Sequence, residues 1–302
     1  MIKNFDDVIR KAKERGPLTI AVAVAEDRHV LEAVWKGKKL GILNAYLVGN
    51  EIEICKIAEE VEMDLSQFTI IDKEDPVEAA REAVTLVSSG KAQVLMKGLV
   101  DTSIIMKAVL DKEIGLRGDS ILSHVAVFEV KGFEKLFYVT DAAMNIAPTL
   151  EEKVKIIENC VEVAHSLDVK KPRVGIICAV EKVNKKMEAT LHAEELVKMN
   201  ENGEIKNCTI GGPFALDNAI SKEAALIKKI DHPVAGNAEV LVAPDIEAGN
   251  ILYKSLAFFA KAKNAGIIVG ARAPIVLTSR SDSREAKLYS IALGVMIAFN
   301  KK

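Results

Sequence analysis

The sequence predicts an α/β fold, a mostly parallel β-sheet with helices covering both faces. Three observations carry this. Short runs of aliphatic and β-branched residues alternate with amphipathic helical patterns along most of the chain. Those runs are almost continuously apolar, as strands buried on both faces require. No Ser/Gly-rich linker separates two halves, although 302 residues suffice for two ordinary domains. Two domains without a linker share strands or exchange chain segments.

In chain order, "MIKNFDDVIRKAKERG" mixes acids and bases at helical spacing, and "LTIAVAVA" (18–25) is a buried-strand run. A helix is expected around "HVLEAVWKGKKLG". "NAYLVG" (44–49) then precedes helical "EIEICKIAEEV", "FTIID" (68–72) precedes "DPVEAAREAVTLVSSG", and "AQVLMKG" (92–98) leads into "TSIIMKAVLDKEIGL". The middle breaks the rhythm. "SHVAVFEV" (123–130) and "KLFYVTDAA" (135–143) are separated by a link too short for a helical crossover, so they read as an antiparallel pair. Alternation resumes with "LEEKVKIIENCVEVAHSL", "RVGIICAV", "HAEELVKMN", "CTIGGPFAL", "VLVAPD", "NILYKSLAFFAKAK", "GIIVG", "PIVLTS" and a last helix.

Composition narrows the function classes. The formal net charge is -2, which does not suit a nucleic-acid partner. A single Trp and few aromatics leave little for base stacking. Cys55, Cys160, Cys178 and Cys208 are scattered without a C-x-x-C pair, and the five histidines are as dispersed, so neither a disulfide frame nor a metal site is expected. No apolar stretch reaches about 20 residues, so no membrane span is expected. The expectation is a cytoplasmic protein with reduced thiols.

In open parallel sheets, ligands bind beyond the carboxyl ends of strands. Four junctions there carry polar residues. In "VLMKGLVDTS" (94–103), Lys97 supplies a point charge and Gly98 a close backbone approach, with Asp101, Thr102 or Ser103 as helix cap; an ordinary strand–turn–helix reads equally well. In "EIGLRGDSILSH" (113–124), Arg117 sits in a turn, which alone says little. In "APDIEAGNILYKSL" (243–256), Asn250 either caps a helix or bonds a ligand carbonyl. In "VLTSRSDSREAKLYSIAL" (276–293), Ser279, Ser281, Asp282 or Ser283 can be the N-cap, or the helix start and an arginine fork form an anion site. No G-x-G-x-x-G, P-loop or G-x-S-x-G elbow is present.

Together, "MKGLVDTS" (96–103), "VTDAAMNIAP" (139–148), "PDIEAGNILYK" (244–254) and "APIVLTSRSDSRE" (273–285) resemble the phosphate acetyl/butyryltransferase family. The "MKGLV" and "LTSRSDS" forms and the short length are most similar to its butyryl-specific members. The resemblance implies acyl-CoA + phosphate ⇌ acyl phosphate + CoA, with coenzyme A and phosphate as substrates and no permanently bound cofactor or metal. It also implies two α/β domains of the isocitrate/isopropylmalate dehydrogenase type with an interdomain cleft, residues 1–126 plus 264–302 and residues 127–263, in a homodimer or higher assembly. Ser279 matches the family serine that bonds the thioester oxygen as it becomes an oxyanion. Arg280 matches the neighbouring arginine for phosphate, and Arg117 an arginine linked to coenzyme A or phosphate. Two positions depart from acetyl-specific members: Ala286 stands where they place a catalytic aspartate, and Ala142 where many have a cysteine.

The chemistry of the residues agrees with direct transfer. Phosphate attack on a thioester needs cations for phosphate, a donor for the oxyanion and an acid/base for the thiol. Arginine suits the first and Ser279 the second. Asp282 and Glu285 are the nearest carboxylates for the third, or else they hold Arg280. The competing functions are a phosphate acetyltransferase (acetyl-CoA + phosphate), a metal- and NAD-dependent dehydrogenase on the same fold, and a non-catalytic CoA-binding protein.

Overall fold

The computed structural model describes residues 2–279 and 282–301, and its chain divides into two compact units. The first comprises Phe5–Ser120 and the chain from Ala265 onward; the second comprises Ile121–Asn264 with the N-terminal residues up to Asn4. The chain thus passes between the units after Asn4, after Ser120 and after Asn264.

The first unit begins with α1 (Phe5–Arg15), β1 (Leu18–Ala23), α2 (Arg28–Lys39), β2 (Leu43–Gly49) and α3 (Glu51–Glu60), followed by β3 (Thr69–Asp72), α4 (Pro76–Ser88), β4 (Val94–Lys97) and α5 (Thr102–Val109). The second unit contains β5 (Ser123–Glu129), β6 (Leu136–Thr140), α6 (Leu150–Ser166), β7 (Arg173–Ile177), α7 (Glu188–Glu201) and β8 (Thr209–Phe214). It continues with α8 (Leu216–Ile220), α9 (Lys222–Ile227), β9 (Val240–Val242) and α10 (Ile246–Lys254). The chain returns through β10 (Lys263–Val269), β11 (Ile275–Val276) and α11 (Arg284–Asn300).

Strand order in the first unit is β3-β2-β1-β4-β11-β10, parallel except for β10. In the second it is β5-β6-β9-β7-β8, with β5 antiparallel to β6 and the rest parallel. The short link between the two central strand runs therefore does join an antiparallel pair. A second such pair, β10–β11, was not anticipated, because "GIIVG" and "PIVLTS" each read as one more parallel strand. The link "ARA" is again too short for a crossover.

Local chemistry explains the helix starts. Asp27, Asn50, Asp75, Thr149, Asp245 and Ser283 each accept a backbone N–H from the first turn of the helix they precede. Asp75 is followed by Pro76, whose fixed φ suits the first helical position. Helix α5 stops at Val109, well short of the predicted stretch, because Asp111 captures the amides of Glu113 and Ile114 in a turn. Helices α8 and α9 are two short turns that the sequence reading did not separate.

Helix α11 is buried on nearly every side and closes the first unit. A Cβ at Gly294 would come within 3.0 Å of Val276 Cγ2 and 3.1 Å of Val94 Cγ1, so glycine lets the helix lie directly on β11 and β4. Phe5 of α1 stacks on Tyr289 with ring centroids 4.4 Å apart. Ser290 Oγ accepts the Gly266 amide at 2.9 Å and donates to the Ala286 carbonyl at 2.7 Å, tying β10 to α11.

Candidate active site

Parallel pairing sets the site in the first unit. Ala23 of β1 is level with Lys97 of β4, and Val276 of β11 with Met96. Strands β1, β4 and β11 therefore end at one edge, and each is followed there by a helix start: α2, α5 and α11. Three positive helix ends at one sheet edge favour an anion.

Ser279 lies three residues past Val276, with its backbone clamped on both sides. Its N–H donates to Asp282 Oδ2 at 2.7 Å. Its carbonyl accepts from the Asp282 amide at 3.2 Å and from Lys287 Nζ at 2.9 Å. Helix α11 is capped by Ser283, which accepts the Ala286 amide at 3.1 Å, so neither Ser279 nor Asp282 caps it. Arg280, like Ser281, lies outside the described residues.

Lys97 is 5 % exposed at the end of β4, its Nζ donating to the Gly98 carbonyl at 3.4 Å. A side chain at Gly98 would run into the Val24 carbonyl, so the turn after β1 itself requires glycine there. Asp101 takes the N-cap position of α5 without a side-chain capping bond.

The two acids proposed for the thiol proton separate. Asp282 is turned to the Ser279 amide. Glu285 is exposed and pairs with Arg284, Oε1 to Nε 2.8 Å, which holds its carboxyl below the usual range. It lines a surface cavity with Arg28, Trp35, Lys36 and Lys39 of α2, not the Ser279 turn. Arg117 is held at the far end of α5, its Nε on the Leu110 carbonyl at 2.6 Å. Eight helical residues, about 12 Å of rise, separate that point from the edge where α5 begins.

Lys287 is the residue that sequence reading missed. It is 2 % exposed, and its Nζ reaches Thr278 Oγ1 at 3.4 Å as well as the Ser279 carbonyl. Burial pushes its pKa down, while Asp27 and Asp282 pull it back up. A signal was available: Lys287 shares a helix face with Ile291, Gly294 and Ala298, where an apolar residue is expected.

The second unit has its own edge, at the ends of β6, β9 and β7. Asp141 is buried there and accepts four donors: the amides of His124, Ala143 and Met144, and Asn145 Nδ2 at 2.6 Å. Asn250 neither caps nor opens a helix. Asp245 caps α10, and Asn250, inside it, donates to the Ala142 carbonyl at 3.1 Å. Gly249 faces the Asp141 carbonyl so closely that a Cβ could not fit. The "PDIEAGN" and "VTDAAMN" segments thus pack on each other. Among the described residues, no three His, Cys, Asp or Glu side chains gather as a metal-ligand set, and no helix is long and apolar enough to cross a membrane.

The chain resembles known proteins along its whole length. A phosphate butyryltransferase of Clostridium beijerinckii is 49% identical over 302 residues, the whole of both chains. A phosphate acetyltransferase of Thermotoga maritima is 46% identical over 294 residues, 97% of this chain and 99% of the relative. The crystal structure of a branched-chain phosphotransacylase from Enterococcus faecalis superposes with a TM-score of 0.82 at 36% identity, covering 93% of this chain and 99% of that one. The family described as Phosphate acetyl/butaryl transferase matches residues 4–80 and 76–295, and the chain belongs to that family.

Proposed function

We propose that this chain interconverts a short-chain acyl-CoA plus phosphate with the acyl phosphate plus CoA, butyryl-CoA being the expected substrate. The observation that carries the reading is the shared carboxyl edge of β4 and β11, where one strand ends in buried Lys97 and the other leads into the clamped Ser279 turn before α11. Full-length identity to a butyryltransferase supports the reaction class. Phosphate binds in the field of Lys97, Arg280 and the helix ends and attacks the thioester carbonyl. Ser279 Oγ donates to the oxygen as charge grows on it. Asp282 holds the turn. The CoA sulfur needs no carboxylic acid at position 286, because a thiol, far more acidic than an alcohol, leaves readily as thiolate.

Coenzyme A and phosphate are substrates in this reading, and the fold is two domains of the isocitrate/isopropylmalate dehydrogenase type in a cytoplasmic homo-oligomer. Ile251, Phe258 and Phe259, exposed on α10 and the turn after it, support self-association. Phosphate-dependent CoA release from butyryl-CoA tests the function. No release with phosphate present would remove it. The 46% identity to an acetyltransferase favours a second reading, acetyl-CoA as substrate, and kcat/KM for the two thioesters decides between them.

A further inference from the structure

In the second unit, a cavity of about 560 Å³ opens at the ends of β7 and β9. Its walls come from the first turns of α6 and α7 and from Pro244–Asp245 before α10. Lys153 of α6 lines it while only 5 % exposed. Lysine side chains on a helix lean toward its N-terminus, which brings this one back to the cavity. Its Nζ lies within hydrogen-bond distance of Nδ1 of His192, on α7, at 2.9 Å. Burial pushes the Lys153 pKa down, with Glu188, Cys178 and Asp245 opposing. Burial and the nearby lysine push the His192 pKa down, with Glu188 and Glu151 opposing. A lysine nitrogen thus touches an imidazole nitrogen, two groups between which a proton can pass. The other nucleophile nearby, the Cys178 thiol, is pushed up to about 11 by burial and stays protonated.

We propose that Lys153 is a self-acylation site whose acyl donor is an acyl phosphate. The Nζ lone pair attacks the acyl carbon, an amide bond forms, and the bond from that carbon to the phosphate oxygen breaks. Phosphate leaves with the bonding electrons, and the Nζ proton passes to His192 Nδ1. The inference rests on the proposed function only for the source of the acyl phosphate. Acylation removes the lysine's charge and fills the cavity with the acyl chain, so product level would be written onto the enzyme.

The test uses the full chain and chemically prepared butyryl phosphate without CoA, with the modified lysines followed over time by peptide mass spectrometry. Lys153 should be labelled at least about tenfold faster than Lys170 and Lys171, which are exposed on the surface of the same unit. His192→Gln should bring Lys153 down to the surface rate. Equal wild-type labelling of Lys153 and the surface lysines overturns the proposal, whether or not the variant folds. So does fast labelling that persists in a folded His192→Gln protein. CoA release assayed on the same preparation separates the two readings: a protein that labels Lys153 but releases no CoA keeps this site and loses the transacylase reading.

Discussion

Each unit buries a lysine at the carboxyl edge of its parallel strands, and the two differ in what they touch. Lys287 gives its hydrogen bonds to a carbonyl and a hydroxyl, with Asp27 and Asp282 opposing the effect of burial. Lys153 shares one with an imidazole nitrogen, a group that can carry a proton. A carbonyl only fixes a donor in place. A ring nitrogen can relieve it of its proton, so the first lysine shapes a loop and the second is a reagent.

The sharpest break of the first half is at the turn itself. In the proposed mechanism Ser279→Ala removes a donor whose bond strengthens as charge develops, so kcat should fall about a hundredfold to a thousandfold. The KM for butyryl-CoA should stay close to wild type. Initial rates across butyryl-CoA concentrations read both constants. An unchanged kcat would move the oxyanion donor elsewhere.

Lys287→Met tests whether the buried cation acts through that turn. Methionine keeps the length of the stem but drops the bond to the Ser279 carbonyl. A turn displaced by about 1 Å can cost as much as a hundredfold in rate, and a loss of about tenfold to a hundredfold in kcat is expected. Thermal stability should hold or rise, because an apolar residue escapes the cost of burying charge. Equal losses of activity and stability would make Lys287 structural only.

Most of the fold was legible because parallel strands announce themselves as apolar runs, and the caps as Asp, Asn, Ser or Thr before a helix. Strand direction at β10–β11 was harder to read, since two buried strands look alike whichever way they run, and only the short link distinguishes them. Lys97 and Ser279 stood out in the sequence because Lys97 ends a strand and Ser279 follows one closely. Lys287 was missed because a charged residue inside an apolar helix face reads as surface until burial is known. Asn250 does not cap its helix, because Asp245, five residues earlier, already does. Glu285 lay close to Ser279 in sequence, but helical geometry turned it toward α2.

The acids give smaller effects. Asp282→Asn keeps an acceptor for the Ser279 amide but weakens it, so kcat should fall severalfold with its pH profile unmoved. A lost limb in that profile would make Asp282 a proton carrier instead. Glu285→Gln should leave kcat within about twofold of wild type, because an exposed pair such as Arg284–Glu285 contributes little.

The smallest effect sharpens the comparison with a third lysine. Lys135, ahead of β6, donates to the carbonyls of Asn237 at 3.0 Å and Ala238 at 2.7 Å, so it belongs with Lys287 rather than with Lys153. Burial lowers its pKa from 10.5 to about 8; Glu239 opposes, and Arg173 and Lys222 add to the shift. Between those two values the folded chain has released this proton while the unfolded chain still holds it. The unfolded state binds more protons there, so stability rises with pH across the window, and the cost of the buried charge is fully present below it. Lys135→Met removes the titration. Denaturant midpoints of both proteins, taken from about pH 7.5 to about pH 10, should therefore show the wild type gaining on the variant as pH rises, with other alkaline titrations cancelling in the difference. A constant difference would mean that Lys135 keeps its proton as tightly folded as unfolded, and that carbonyl partners fully offset its burial.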